Sequence, residues 1–206
     1  GAMSISGTYG PSTEAETMRL FSRAVELGVN HFDTSDIYGL GRSEELIGRY
    51  LRESRADIVV STKAGIRYMP VTGERRVDNS PAHLRNALEQ SLKRLGRDHV
   101  ELFYIQRREA ARPIEEVMET LSALKKEGKI GAIGLSEVSP ETLREANRLT
   151  RVSAVQSEYS LWTRDAERSL IAACDECRAA FVAFSPLGRG MLTGHVLDPA
   201  TFSKGD

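Results

Sequence analysis

Asp33, Tyr38 and Lys63 have the chemistry of a proton donor and its support. Asp33 and Tyr38 flank the turn after one short apolar run, and Lys63 closes another in Ser61-Thr62-Lys63-Ala64-Gly65. A phenol is a poor acid at neutral pH, with a reference pKa of about 10. One ammonium about 4 Å away is worth about 4 kcal/mol at an effective dielectric near ~20, roughly three pKa units. Lys63 would therefore bring Tyr38 towards neutrality, and Asp33 would hold Lys63 charged and aimed. Each residue alone has an ordinary use: a Tyr on a turn packs, an Asp after a strand caps, and a Lys stays in water. It is their joint placement on successive strand ends that points to proton transfer.

Such residues need elements that hold them. Six short runs rich in Val, Ile and Phe read as strands: Val29–Thr34, Asp57–Lys63, Val100–Gln106, Ile130–Ser136, Ser153–Tyr159 and Phe181–Leu187. Amphipathic helical stretches lie between them, opened by signals such as Ser80-Pro81 and Pro113-Ile114-Glu115-Glu116. Strict alternation of strand and helix predicts a parallel sheet. An open doubly wound sheet would carry a glycine fingerprint after its first strand. The chain has Ser35-Asp36-Ile37-Tyr38-Gly39 there instead. Polar residues recur at the C-terminal end of strand after strand, at Asp33, Lys63, Gln106, Ser136, Gln156 and Ser185. A barrel gathers such residues at one rim, whereas an open sheet spreads them along a line.

The expected fold is therefore α/β, a parallel (β/α)8 TIM barrel forming a single domain over residues 1–206. Each strand-to-strand step takes about 30 residues, so eight units need roughly 240 or more. With Gly1-Ala2-Met3 read as the end of a first strand, the run Phe181–Leu187 becomes the seventh. The last helices and strand eight find no place in the 206 residues, and the polar tail after Leu192 does not supply them. The barrel is expected to be incomplete at the C-terminus, open between its first and seventh strands.

Composition narrows the function classes. The 28 basic and 29 acidic side chains give a net charge of -1, without the basic excess that nucleic-acid phosphates demand. No run approaches the ~18 to 20 apolar residues of a membrane span, and no signal peptide opens the chain, so a soluble, cytoplasmic protein with no nucleic-acid or membrane partner is expected. Cys174 and Cys177 form one C-D-E-C pair, too few ligands for a tetrahedral zinc site, and they are read as free thiols with no metal.

The run His31-Phe32-Asp33-Thr34-Ser35-Asp36-Ile37-Tyr38-Gly39, followed by Ser43-Glu44-Glu45-Leu46-Ile47-Gly48, closely resembles the aldo-keto reductase family. So do Ser61-Thr62-Lys63, Gly131-Ala132-Ile133-Gly134-Leu135-Ser136, Gln156-Ser157-Glu158-Tyr159-Ser160-Leu161-Trp162 and Phe184-Ser185-Pro186-Leu187-Gly188-Arg189-Gly190, in order and over essentially the whole chain. The resemblance implies an NADPH-dependent carbonyl reductase on a (β/α)8 barrel, acting on a small-molecule aldehyde or ketone. It places the catalytic Tyr, Lys and Asp on Tyr38, Lys63 and Asp33, with hydride from the nicotinamide and a proton from Tyr38. It also implies that Ser136, Glu137 and Gln156 hold the nicotinamide amide and that Phe184 stacks on its ring. Ser185, Leu187, Gly188 and Arg189 fall in the loop that contacts the pyrophosphate.

Two departures from the family pattern stand out. Gln106 replaces the fourth catalytic residue, a His; its amide still donates to a carbonyl oxygen but cannot be charged. The C-terminal loop and helix that grip the adenosine 2'-phosphate have no counterpart in the 206 residues. Both feed an alternative: a catalytically weak, reductase-like barrel that binds NADPH as a sensor or partner-binding subunit.

Overall fold

The computed structural model describes residues 1–7, 10 and 12–194. Its elements run α1 Glu14–Glu26, β1 His31–Asp33, α2 Arg42–Ser54, β2 Val59–Ala64, β3 Ile66–Tyr68, β4 Arg75–Val77 and α3 Pro81–Leu95, followed by β5 Val100–Ile105, α4 Ile114–Lys126, β6 Ile130–Ser136, α5 Pro140–Leu149, β7 Ala154–Glu158, α6 Leu170–Cys177 and β8 Ala180–Phe184. Helix starts follow local chemistry. Thr13 and Glu16 close a reciprocal capping box on α1, and Ser80 and Ser139 each cap a helix whose first residue is proline.

Six strands form one parallel sheet in the order β1-β2-β5-β6-β7-β8, which is their order along the chain. Side chains alternate between its two faces. Phe32, Val60, Phe103, Ile133 and Val155 join the buried core that the helices cover; under α1 and α2, the rings of Phe21, Phe32 and Tyr50 lie 4.9 to 6.0 Å apart. The alternate residues Asp33, Ser61, Lys63, Tyr104, Gly134, Ser136 and Gln156 share the opposite face, since Asp33 pairs with Ser61, Lys63 with Tyr104, Tyr104 with Gly134 and Ser136 with Gln156.

That face is concave. β1 and β7 stand four strand spacings apart, about 19 Å in a flat sheet, yet Gln156 Nε2 donates to Asp33 Oδ2 at 3.1 Å. Only a sheet that curls round on itself brings them together.

Two expectations need correction. Gly1-Ala2-Met3 is not a strand: Ala2 N donates one bond to Asp33 O, but the chain turns into a 3-10 helix at Ser4–Ser6 before a ladder can build. The wall among the described residues therefore has six strands rather than seven. The last run ends its strand at Phe184, because Ser185 takes a left-handed φ of 51° that no ladder continues. An antiparallel hairpin of β3 and β4, which the sequence reading did not assign, rises after β2. The polar tail from His195 onward lies outside the described residues.

Among the described residues, no helix is long and apolar enough to cross a membrane and no group of three His, Cys, Asp or Glu could hold a metal ion. Cys174 and Cys177 carry free thiols.

Candidate active site

Lys63 enters the concave face from β2 and is 1% exposed. Its Nζ lies 2.5 Å from Asp33 Oδ1 and 2.7 Å from the carbonyl oxygen of Thr34. It also sits 5.3 Å from the ring centre of Tyr38 and 5.7 Å from that of Tyr104, within cation–π range of both. Asp33 Oδ2 accepts from Ser61 Oγ at 2.8 Å as well as from Gln156. Burial works to raise the Asp33 pKa, but the Lys63 charge and these donors overcome it and hold the carboxyl below its ordinary value. Burial likewise pushes Lys63 down, with the Asp33 carboxylate opposing. The facing Asp33 carboxylate favours the charged form of the amine against that pull.

Tyr38 is carried by a tight turn that grows out of β1. Thr34 N and Asp36 N donate to Ser61 O and Lys63 O of β2, and Tyr38 N donates to Ser35 O. Gly39, Leu40 and Gly41 all take positive φ, which reverses the chain into α2; a side chain at Gly39 would run into Ser6. Behind the turn, fully buried Glu44 on α2 accepts from Thr62 Oγ1 at 2.5 Å and from Arg94 Nε of α3 at 2.7 Å. This one carboxylate ties two helices to the strand that bears Lys63.

Gln106 follows β5, bonded through its backbone N to Ala64 O and through its side-chain Oε1 to the Ser35 hydroxyl at 2.6 Å. Asp33, Tyr38, Lys63, Gln106 and Gln156 thus converge at the C-terminal ends of β1, β2, β5 and β7. Ser136 adjoins them, paired in register with Gln156 and 3.5 Å from Arg107 Nη1. Glu137 is drawn aside: its Oε1 accepts from Ser157 Oγ and Glu158 N, both at 2.9 Å, on a backbone at φ 54°.

Phe184, Ser185, Leu187, Gly188 and Arg189 are not brought onto that cluster. Phe184 ends β8, paired in register with Glu158 of β7; the other four lie in a turn after it, in which Gly188 N donates to Ser185 O and Gly188 and Arg189 both have positive φ.

Sequence reasoning missed Ser61, Ser35, Asp36, Glu44 and Arg94. Ser61 was open to detection, standing two residues before Lys63 and hence on the same face of its strand. The rest depend on contacts between elements, which no local pattern reports.

The model of the aldo/keto reductase family matches residues 1–206. "Aldo-keto reductase yakc [NADP(+)]" of Schizosaccharomyces pombe is 41% identical over 211 residues, covering 100% of this chain and 62% of that protein. "Probable aldo-keto reductase 1" of Glycine max is 39% identical over 198 residues, covering 94% and 56%. Among solved structures, the glycerol dehydrogenase AKR11B4 from Gluconobacter oxydans superposes with a TM-score of 0.93 at 30% identity, over 100% of this chain and 64% of that one. The holo form of the aldo-keto reductase AKR11C1 from Bacillus halodurans gives 0.87 at 28% identity, over 100% and 67%. The chain spans about three fifths of the length of these curated relatives.

Proposed function

The chain belongs to the aldo/keto reductase family, and on that premise we propose that the whole protein is a single (β/α)8 barrel that reduces a small aldehyde or ketone to its alcohol with NADPH. The observation that carries the reading is the buried Lys63 ammonium, paired with Asp33 at 2.5 Å and set 5.3 Å from the Tyr38 ring. A cation there favours the phenolate over the phenol, which makes Tyr38 a better acid. Tyr38 gives its proton to the carbonyl oxygen as the alcohol forms and takes it back in the reverse reaction. Asp33 keeps Lys63 charged against the pull of burial. Gln106 donates an amide N–H to the same oxygen.

NADPH, when bound, supplies the hydride. The donor set fits its carboxamide: Gln156 commits its Nε2 to Asp33 and so keeps Oε1 as an acceptor, while Ser136 supplies a hydroxyl on the neighbouring strand in register with it. Glu137 is placed beside them with Oε1 already engaged. Phe184 would stack on the ring. Ser185, Leu187, Gly188 and Arg189 would meet the pyrophosphate, with the Arg189 guanidinium suited to pair with its charge. The relative from Schizosaccharomyces pombe has NADP(+) in its name.

The test is NADPH oxidation by the whole protein with a panel of aromatic and sugar-like aldehydes. Turnover that Tyr38→Phe abolishes supports the reading. Tight NADPH binding with no turnover on any carbonyl sinks it and favours the sensor alternative.

A further inference from the structure

We propose that Asp36 and Ser35 position the Gln106 amide, with the protonation of Asp36 deciding which end of that amide meets the carbonyl oxygen; this rests on the reductase reading above. Ser35 Oγ is fully buried and has acceptors on three sides: Gln106 Oε1 at 2.6 Å, Asp36 Oδ1 at 3.2 Å and Lys63 O at 3.3 Å. A hydroxyl has one proton to give. Its short contact with Gln106 and longer one with Asp36 fit a chain in which Asp36, protonated, donates to Ser35 and Ser35 donates to Gln106. The Gln106 Nε2, which makes no hydrogen bond among the described residues, then keeps both N–H groups for the substrate oxygen.

An ionised Asp36 reverses the order. A carboxylate outcompetes an amide oxygen for the Ser35 proton, so Ser35 turns to Asp36 and its oxygen becomes the acceptor for Gln106 Nε2. The amide then presents its carbonyl oxygen to the substrate, which opposes the negative charge that grows on the substrate oxygen during reduction.

The surroundings of Asp36 make both states accessible. Burial and the Glu44 carboxylate of α2 push its pKa up to about 7, opposed by the Ser35 hydroxyl, Arg94 of α3 and Ile37 N. Lys63 of β2 lies within electrostatic reach. Arg67 of β3, Asp78 after β4 and His83 of α3 line, with Asp36, a groove of about 490 Å³ that opens to solvent and lets protons in.

The experiment measures kcat and KM for NADPH-dependent aldehyde reduction between about pH 5.5 and 8.5 in the whole wild-type protein and in Ser35→Ala and Asp36→Asn. The wild type should lose about tenfold in kcat/KM as pH rises through 7, the scale of one neutral hydrogen bond. Asp36→Asn should lose that step, because its amide donates to Ser35 at every pH. Ser35→Ala should be about tenfold slower at low pH and also lack the step. The KM for NADPH should stay constant, which a general loss of structure would not allow. A step that persists in both variants, or a Ser35→Ala enzyme as fast as wild type, overturns the positioning role while leaving the reductase reading intact. A wild type inert on every carbonyl overturns both.

Discussion

A Tyr38→Phe variant is expected to turn over about 10² times more slowly or worse while NADPH affinity is nearly unchanged, since general acid catalysis contributes ~10² to 10⁴. Steady-state rates and a fluorescence titration of NADPH check the two halves of that statement. Gln106→Ala should cost about tenfold in kcat/KM, or about 1.4 kcal/mol, and Gln106→His should match or exceed wild type on simple aldehydes. Asp36 gives a prediction about stability. Its folded pKa of about 7 lies above its ordinary value, so the folded state holds the proton more tightly than the unfolded state. The contribution is present below the ordinary Asp range near ~3.9 and is lost as pH rises towards 7. Asp36→Asn should therefore gain in denaturation midpoint over wild type on moving from about pH 4.5 to 7.5. Comparing the two proteins removes His31 and His83, whose pKa values are lowered chiefly by burial and act in the opposite direction. Asp33, with its lowered pKa, stabilises above the ordinary range and loses its effect as pH falls below it. That Asp33, Tyr38 and Lys63 gather in one place was legible because Asp33 and Lys63 stand where apolar runs stop and Tyr38 stands on the turn that follows the first. Ser35 and Asp36 stand in the same segment but gain meaning only from Gln106, 71 residues away from Ser35.

Among strands and helices, the tightest requirement is at Gly134 of β6. A Cβ there would overlap the ring of Tyr104 on β5, which is fully buried and neighbours Lys63. Gly134→Ala should destabilise the fold by about 1 to 3 kcal/mol, read as a fall in urea midpoint, and should slow turnover by shifting the ring beside Lys63. The helix starts were readable in advance, since Ser80-Pro81 and Ser139-Pro140 are local chemistry. The hairpin was not: Ile66-Arg67-Tyr68 and Arg75-Arg76-Val77 are short, charged and mostly exposed, so their pairing carries no apolar alternation. The edge of β8 was also hidden, because the run Phe181–Leu187 stays apolar past the point where Ser185 turns the backbone.

Alternation along the chain is enough to predict a parallel sheet, and polar strand ends are enough to predict that it curls. Strand count is less legible, because Gly1-Ala2-Met3 can begin a ladder beside β1 without continuing it. The curl has a further consequence through the bond from Gln156 to Asp33, which spans the hollow of the sheet like a tie-rod. A ligand that grips Gln156 on β7 is expected to be felt through this bond at β1, four strands away. Deuterium uptake by the backbone amides of β1 should therefore slow when NADPH is added, and a Gln156→Leu protein that still binds NADPH should exchange at its unliganded rate. In such a molecule, occupancy at one strand is reported as breathing at another.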